Sequence, residues 1–303
     1  MVHEDLVKWL EADGFLVHYD PKIAVDQVEA ALPECHGIVI NSKIKMDSKR
    51  IDLGRNLKFI ARLGSGLEVI DIDHAKSKGI AVMNSPEGNR DAVAEHAIGM
   101  LLVLLNNILI AHQETKAFQW HRERNRGVEL GGKTLGIIGF GNTGQALAKK
   151  LSTWDVKLLV YDKYATILPS DWPNAEIVEI DDICQRSDIL SLHLPLTDET
   201  FHFVNHEFLQ KCKKSLILIN TSRGQVVHTE SLIAALESGH LLGACLDVFE
   251  NEKVETYNQI EKDMYTRLFN FQQVVVTPHI AGWTKESLWK IAHHCYRKIK
   301  TVV

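Results

Sequence analysis

Three residues in this sequence have the types that proton chemistry on an anionic molecule needs, and each follows an apolar run. Arg223 comes after "SLILIN" (215–220), Glu252 after "LLGACLDV" (241–248) and His279 after "QVVVTP" (273–278). Histidine exchanges a proton near neutral pH. A carboxylate beside it orients the ring and stabilises the imidazolium. Arginine presents a planar fork that matches a carboxylate. Taken singly, each is better read as something plainer: a surface arginine at a helix start, a solvated acid in a charged loop and a capping histidine. Together, at three strand ends, they form a working set, because open parallel sheets bind ligands outside the carboxyl ends of their strands.

A glycine-rich turn supplies the second half of the chemistry. "LGIIGFGNTGQALAKKL" holds Gly139, Phe140, Gly141, Asn142, Thr143 and Gly144 between an apolar strand and a helical pattern. Gly139 permits the tight turn, Gly141 lets the backbone approach a pyrophosphate, and Gly144 lets the helix pack close to the strand. The helix N-terminus then offers free N–H groups and a positive dipole end to phosphate. Asp162 ends "LLVYD", 18 positions after Gly144. A carboxylate there accepts from a ribose 2′-hydroxyl and repels a 2′-phosphate, which favours NAD over NADP. With a nicotinamide as hydride acceptor, the arginine, glutamate and histidine read as a set for alcohol oxidation.

The elements that must carry these residues alternate along the chain. After Leu135 the runs at 135–139, 157–162, 175–180, 188–194, 215–220, 241–248 and 273–279 are mostly apolar throughout, as strands of a parallel sheet covered on both faces are. Helical patterns fall at 143–154, 206–211 and 229–238. The first hundred residues repeat the theme more weakly, with "GFLVHYD", "GIVIN", "LKFIARLG" and "GIAVMN" as strands. The fold expected is α/β, with two doubly wound, Rossmann-like lobes. A helical segment, "HEDLVKWLEADG", opens the chain with no strand before it. An α/β lobe usually begins with that strand, so the native start is expected upstream.

Composition narrows the partners. There are 34 Lys and Arg against 39 Asp and Glu, a net charge of −5, so no overall basic field favours nucleic acid or an anionic membrane. The five cysteines are scattered without metal-ligand spacing, which fits reduced thiols in a cytoplasmic protein and no metal site. The N-terminus has no signal-peptide pattern. The apolar run 97–111 is too short for a bilayer and contains two asparagines, so it reads as one buried or interface helix.

The motifs together resemble the D-isomer-specific 2-hydroxyacid dehydrogenases. The resemblance spans nearly the whole chain and rests on "ARLGSGLEVIDIDHAKSKGIAVMNSPEGNRDAVAEHAIGMLL", "ELGGKTLGIIGFGNTG", "VYDK", "DILSLHLPLTDETFHFVN", "LILINTSRGQVV", "ACLDVFENE" and "TPHIAGWT", in family order. It implies that Arg223, Glu252 and His279 are catalytic and that Asp247 lies beside the nicotinamide. It implies further that Leu194, Thr221, Ser222 and Gly282 line the cofactor. The loop Leu63, Gly64, Ser65 and Gly66 would bind substrate carboxylate through backbone amides. A cofactor lobe (88–279) would be inserted into a substrate lobe (1–87 with 280–303), with the active site in the cleft. A homodimer or homotetramer through the cofactor lobe would use the run 97–111.

Within the family, "VINSKIK" and "ARLGSG" are similar to the substrate loops of the phosphoglycerate-oxidising branch. Arg62 then contacts substrate, and Lys43 and Lys45 can meet a phosphate. The substrate expected is 3-phospho-D-glycerate, oxidised to 3-phosphooxypyruvate in serine biosynthesis. The alternatives are a glyoxylate or hydroxypyruvate reductase and, in a different class, a non-catalytic nucleotide-sensing module. Two departures bear on this choice. Asn41 stands where the branch has a further arginine, and the acidic stretch after Glu252 is long and lacks the usual proline. With no regulatory domain after Val303, feedback through one is not expected.

Overall fold

The computed structural model describes residues 2–164, 172 and 175–302. The chain divides into two compact units, Met1–Ala92 with Trp283–Val303, and Val93–Gly282. The junctions fall a few residues later than the sequence boundaries of 87/88 and 279/280, because one continuous helix runs through the first of them.

In the first unit the order is α1 (Glu4–Ala12), α2 (Val25–Ala31), β1 (Gly37–Ile40), α3 (Ser48–Leu53), β2 (Phe59–Arg62), α4 (Ile72–Ser77), β3 (Ala81–Met83) and the start of α5 (Pro86–Leu105). The strands form a parallel sheet in the order β1-β2-β3. Successive side chains of a strand face opposite ways, and β2 shows it. Ile60 packs with Ile40, Met46 and Ile51 on one face, while Phe59 and Ala61 pack with Leu6, Leu10, Ala292 and Cys295 on the other. Asp47 and Asp71 cap α3 and α4 by accepting from Arg50 N and His74 N.

The second unit continues with α6 (Ile108–Lys116), β4 (Thr134–Ile138), α7 (Asn142–Leu151), β5 (Lys157–Tyr161), β6 (Ala175–Ile177), α8 (Ile180–Arg186), β7 (Ile189–Leu192), α9 (His206–Lys211), β8 (Leu216–Asn220), α10 (Thr229–Glu237), β9 (Leu241–Leu246), α11 (Gln259–Phe269) and β10 (Val274–Val276). The chain then returns to the first unit as α12 (Lys285–Ile299). Seven parallel strands lie in the order β10-β9-β8-β7-β4-β5-β6. Both faces are covered, which is why the strands read as unbroken apolar runs. Ile217 and Ile219 enter one core with Leu135 and Ile137, and Leu216 and Leu218 enter the other with Ile138 and Leu190. Each such side chain contributes about 1.5–3 kcal/mol on burial.

Three sequence readings need correction. "GFLVHYD" is not a strand: residues 15–20 take part in no sheet pairing and Leu16 is fully exposed. A β-pattern without a neighbour to complete its ladder stays irregular. The run 97–111 is not one helix: Asn107 adopts a left-handed φ of 52° and separates α5 from α6, which are inclined by 61°. The apolar reading of 175–180 overshoots, because β6 stops at Ile177 and α8 begins at Ile180. The long acidic stretch after Glu252 is also more ordered than its charge suggests, since it folds into α11 behind an Asn258–Glu261 capping box. No single helix among the described residues is long and apolar enough to cross a membrane.

Candidate active site

The carboxyl ends of β4 and β5 build a cradle in the second unit. Strand β4 pairs with β5 on one side and β7 on the other; the chain runs outward through β5 and β6 and then crosses back to β7, which makes the end of β4 the point where strand order reverses. Gly139 turns the chain with φ 91°, and a side chain there would press on the His193 carbonyl and on Leu194, the residues that follow β7. A Cβ on Gly144 would overlap the Gly139 carbonyl. A Cβ on Gly141 would meet no protein atom within 4 Å, so that glycine leaves room for a ligand. Helix α7 starts at Asn142 and Thr143 with no side-chain cap on its first N–H groups. Asp162 accepts from Phe140 N at 2.6 Å and from Tyr164 N at 2.8 Å, which ties the end of β5 to the glycine turn. Open space at the second glycine, uncapped helix amides and a carboxylate at the end of β5 fit a dinucleotide.

Arg223 owes its position to a residue the sequence reading passed over. Asn220, fully buried at the end of β8, accepts from Ser222 N and Oγ at 3.0 and 2.9 Å and donates to the Arg223 carbonyl at 2.9 Å. This side-chain turn fixes Thr221, Ser222 and Arg223. The guanidinium Nη1 donates to the Ser222 carbonyl at 2.7 Å. The Thr221 hydroxyl is buried and finds no partner among the described residues, which suits a donor or acceptor reserved for a ligand. Gly224 explains the glycine beside the arginine: any Cβ would run into the Phe249 carbonyl and Glu250 N. The loops after β8 and β9 therefore touch backbone to backbone, and this brings Arg223 toward Glu252.

His279 and Glu252 form a pair, with Nδ1 and Oε2 2.8 Å apart and both side chains partly open to solvent. Burial pushes the Glu252 carboxyl up, but the hydrogen bond and charge of His279, the Phe249 N–H and Arg223 outweigh it and hold the group below its ordinary range. An ionised carboxylate only accepts, so His279 carries its proton on Nδ1 and keeps Nε2 for exchange. The hydrogen bond to Glu252 raises the His279 pKa above its ordinary 6.5 against desolvation, helped by the charges of Glu252 and Asp247 and opposed by Arg223.

Asp247, expected beside the nicotinamide, is tied into the backbone of the turn that carries His279. It is fully buried, and its oxygens accept from Ile280 N at 2.9 Å, Ala281 N at 2.8 Å and the Thr277 hydroxyl. Its carbonyl accepts from His279 N at 2.8 Å. These bonds hold His279 at a left-handed φ of 55°, a conformation non-glycine residues rarely take. Asp247 thus anchors the turn that presents His279 and leads to Gly282. Thr277, two residues before the histidine, was missed; the hydroxyl in "TPH" was the available signal.

The first unit holds the other expected residues. Gly64, with φ 142°, lies directly against the Arg62 guanidinium. The Ser65 hydroxyl donates to Asn89 Oδ1 at 2.9 Å. Lys43 and Lys45 are exposed, and Lys43 Nζ donates to the Ile23 carbonyl at 3.0 Å. Asn41 accepts from Lys43 N at 2.8 Å.

A dinucleotide cradle and a histidine–carboxylate pair on the carboxyl edge of one parallel sheet define a nicotinamide-dependent dehydrogenase. The family model described as "D-isomer specific 2-hydroxyacid dehydrogenase, NAD binding domain" matches residues 98–281, and the chain belongs to that family, with NAD as its cofactor. It is 38% identical to a hydroxypyruvate reductase of Thermotoga maritima, over 90% of this chain and 87% of that protein. It is 40% identical to a glyoxylate reductase of Thermofilum pendens, over 86% of this chain and 76% of that protein. A D-3-phosphoglycerate dehydrogenase of Archaeoglobus fulgidus is 32% identical over 94% of this chain, which spans only 53% of that protein's length. The solved structure of a D-lactate dehydrogenase from Aquifex aeolicus, complexed with NAD and lactic acid, superposes with a TM-score of 0.84 at 29% identity, covering 98% and 92% of the two chains.

Proposed function

We propose that the protein interconverts a short 2-hydroxy acid (the D isomer where C2 is chiral) and its 2-oxo acid, with hydroxypyruvate or glyoxylate as the oxo acid. The observation that carries the proposal is the 2.8 Å pairing of His279 with Glu252 in the same unit as Arg223. The bound nicotinamide supplies the hydride that C2 accepts. His279 Nε2 gives its proton to the 2-oxo oxygen, and in the reverse direction takes it from the hydroxyl. Glu252 holds Nδ1 and steadies the imidazolium. The substrate carboxylate is assigned to Arg223 and to the Ser65 and Gly66 amides, Thr221 and Ser222 to the cofactor, and Asp162 to the ribose hydroxyls. Two features favour an unphosphorylated acid: Asn41 stands in place of an arginine, and the Lys43 ammonium is engaged by a carbonyl.

A second reading, oxidation of 3-phospho-D-glycerate, draws on Lys43, Lys45 and Arg62 as local positive charge in a net-acidic chain, and on the phosphoglycerate dehydrogenases among the relatives. The ratio of kcat/KM values for hydroxypyruvate or glyoxylate against 3-phosphooxypyruvate separates the two. We expect the unphosphorylated acids to be preferred, with little salt dependence. Preference for the phosphorylated acid, weakened by salt as a screened charge contact is, would move the assignment to phosphoglycerate. No turnover with any of these acids, together with intact NAD binding, would leave a nucleotide-sensing module.

The family's homodimer or homotetramer is part of the same proposal. Ile108, Leu109, Phe118, Trp120 and Val128 are large apolar side chains left exposed along α6 and the segment after it. Single exposed apolar residues are ordinary, but a run of them marks an interface. Sedimentation should find a dimer or tetramer for the wild type and smaller species for a Phe118→Glu, Trp120→Glu variant. A wild-type monomer would exclude the assignment.

A further inference from the structure

The amides assigned to the substrate carboxylate lie in a loop in which two successive carbonyls are held from one side. The Gly64 carbonyl accepts from Ser85 N at 2.9 Å, and the Ser65 carbonyl accepts from Asn84 Nδ2. In a trans peptide the C=O and the following N–H point in opposite directions. Fixing the Gly64 carbonyl toward residues 84–85 therefore aims the Ser65 N–H away from them. Fixing the Ser65 carbonyl does the same for the Gly66 N–H. Neither N–H donates to a protein acceptor among the described residues. Two adjacent donors pointing one way make an anion-binding concavity.

The Asn84 backbone is braced in turn from α12. Lys298 Nζ, on α12, donates to the Asn84 carbonyl at 2.9 Å and to both oxygens of Glu87 at 2.8 and 3.1 Å. Burial pushes the Glu87 carboxyl up, but Lys298 and a backbone N–H bring it net below its ordinary range, so the pair is ionic. Gly88 makes the reach possible: a Cβ there would stand 2.6 Å from Ile291 Cα, so α12 lies directly on the first turns of α5. Lys298 is two helical turns beyond Ile291 and on the same face.

We infer that Asn84 is a positioning residue for the 2-hydroxyacid dehydrogenase reaction, setting the direction of the Ser65 and Gly66 amides, and that Lys298 holds it in place. The inference rests on the carboxylate reading given above. A net hydrogen bond contributes about 0.5–1.5 kcal/mol, so losing the one from Asn84 should raise KM for the 2-oxo acid, and weaken oxamate binding to the enzyme–NADH complex, about 3- to 10-fold. Asn84→Ala should do this with kcat and the KM for NADH unchanged, because Asn84 touches neither the proton nor the cofactor. Lys298→Met should give a smaller shift of the same kind, and Lys298→Arg should restore it. Gly66→Pro, which deletes one of the two donors, tests the underlying reading separately. If Gly66→Pro leaves oxamate affinity unchanged, measured per folded molecule, the carboxylate does not sit on these amides and both ideas fail. If Gly66→Pro weakens oxamate while Asn84→Ala and Lys298→Met leave it at the wild-type value, the carboxylate reading stands and the positioning role of Asn84 is overturned. Equal losses in kcat, NADH affinity and oxamate affinity in both Asn84→Ala and Lys298→Met would reduce the network to general scaffolding and also overturn it.

Discussion

Replacing His279 with alanine is expected to lower turnover about 10²–10⁴-fold, the usual contribution of a positioned acid or base. The loss should appear in kcat in both directions, because the same Nε2 gives a proton in reduction and takes one in oxidation. The pH dependence should carry the sign of the pairing. With His279 as the proposed acid in reduction, activity should be present while it is protonated and fall as pH rises through its folded pKa, which lies above 6.5. In oxidation the neutral ring is needed, so activity rises through the same pKa. Glu252→Gln removes the charge and so weakens the charge-assisted hydrogen bond that raises that pKa, and both limbs should move to lower pH. Profiles of kcat/KM in the two directions would show this. Wild-type rates in His279→Ala, or unshifted limbs in Glu252→Gln, would remove the pair from the mechanism.

Arg223→Lys should also be damaging, though less so, despite keeping the charge. Charge-assisted hydrogen bonds contribute about 1.5–3 kcal/mol, so losing the fork should cost about 10- to 100-fold in kcat/KM for the oxo acid. Asn220 and Gly224 hold the backbone of this residue, so the variant should keep its fold and its NADH affinity. An unfolding temperature near that of the wild type, together with poor use of the oxo acid, is the expected result. Wild-type kinetics with lysine would mean that the arginine supplies only a point charge or none.

The sequence announced what burial on two faces dictates. "LGIIG", "SLILIN" and "LLGACLDV" are apolar because helices cover both sides of their sheet, and the strands appear where those runs stand. Arg223, Glu252 and His279 stood out because polar residues interrupt such runs only where a strand ends. What escaped notice depends on hydrogen bonds, local or long-range, that an apolar pattern does not reveal. Asn220 looks like the last residue of a strand, and its function as a turn-former emerges only from its bonds to Ser222 and Arg223. The bonds from the Asp247 oxygens to the amides of Ile280 and Ala281, more than thirty residues on, leave no mark in the sequence. "GFLVHYD" has the pattern of a strand, and pattern alone cannot provide a pairing neighbour.

The return of α12 to the first unit governs the order in which the protein can become complete. Trp9 packs against Trp289 and Tyr296, and the Tyr296 hydroxyl donates to Asp13 at 2.7 Å, so the two ends of the chain close one core. During synthesis, residues 93–282 leave the ribosome before the segment that completes that core. Domains generally fold as units while the chain is being made, so the nucleotide-binding part can form first. The loop of Gly64, Ser65 and Gly66 must wait for the last twenty or so residues. A chain stopped short of α12 would have its second unit organised while the core of its first unit stayed incomplete.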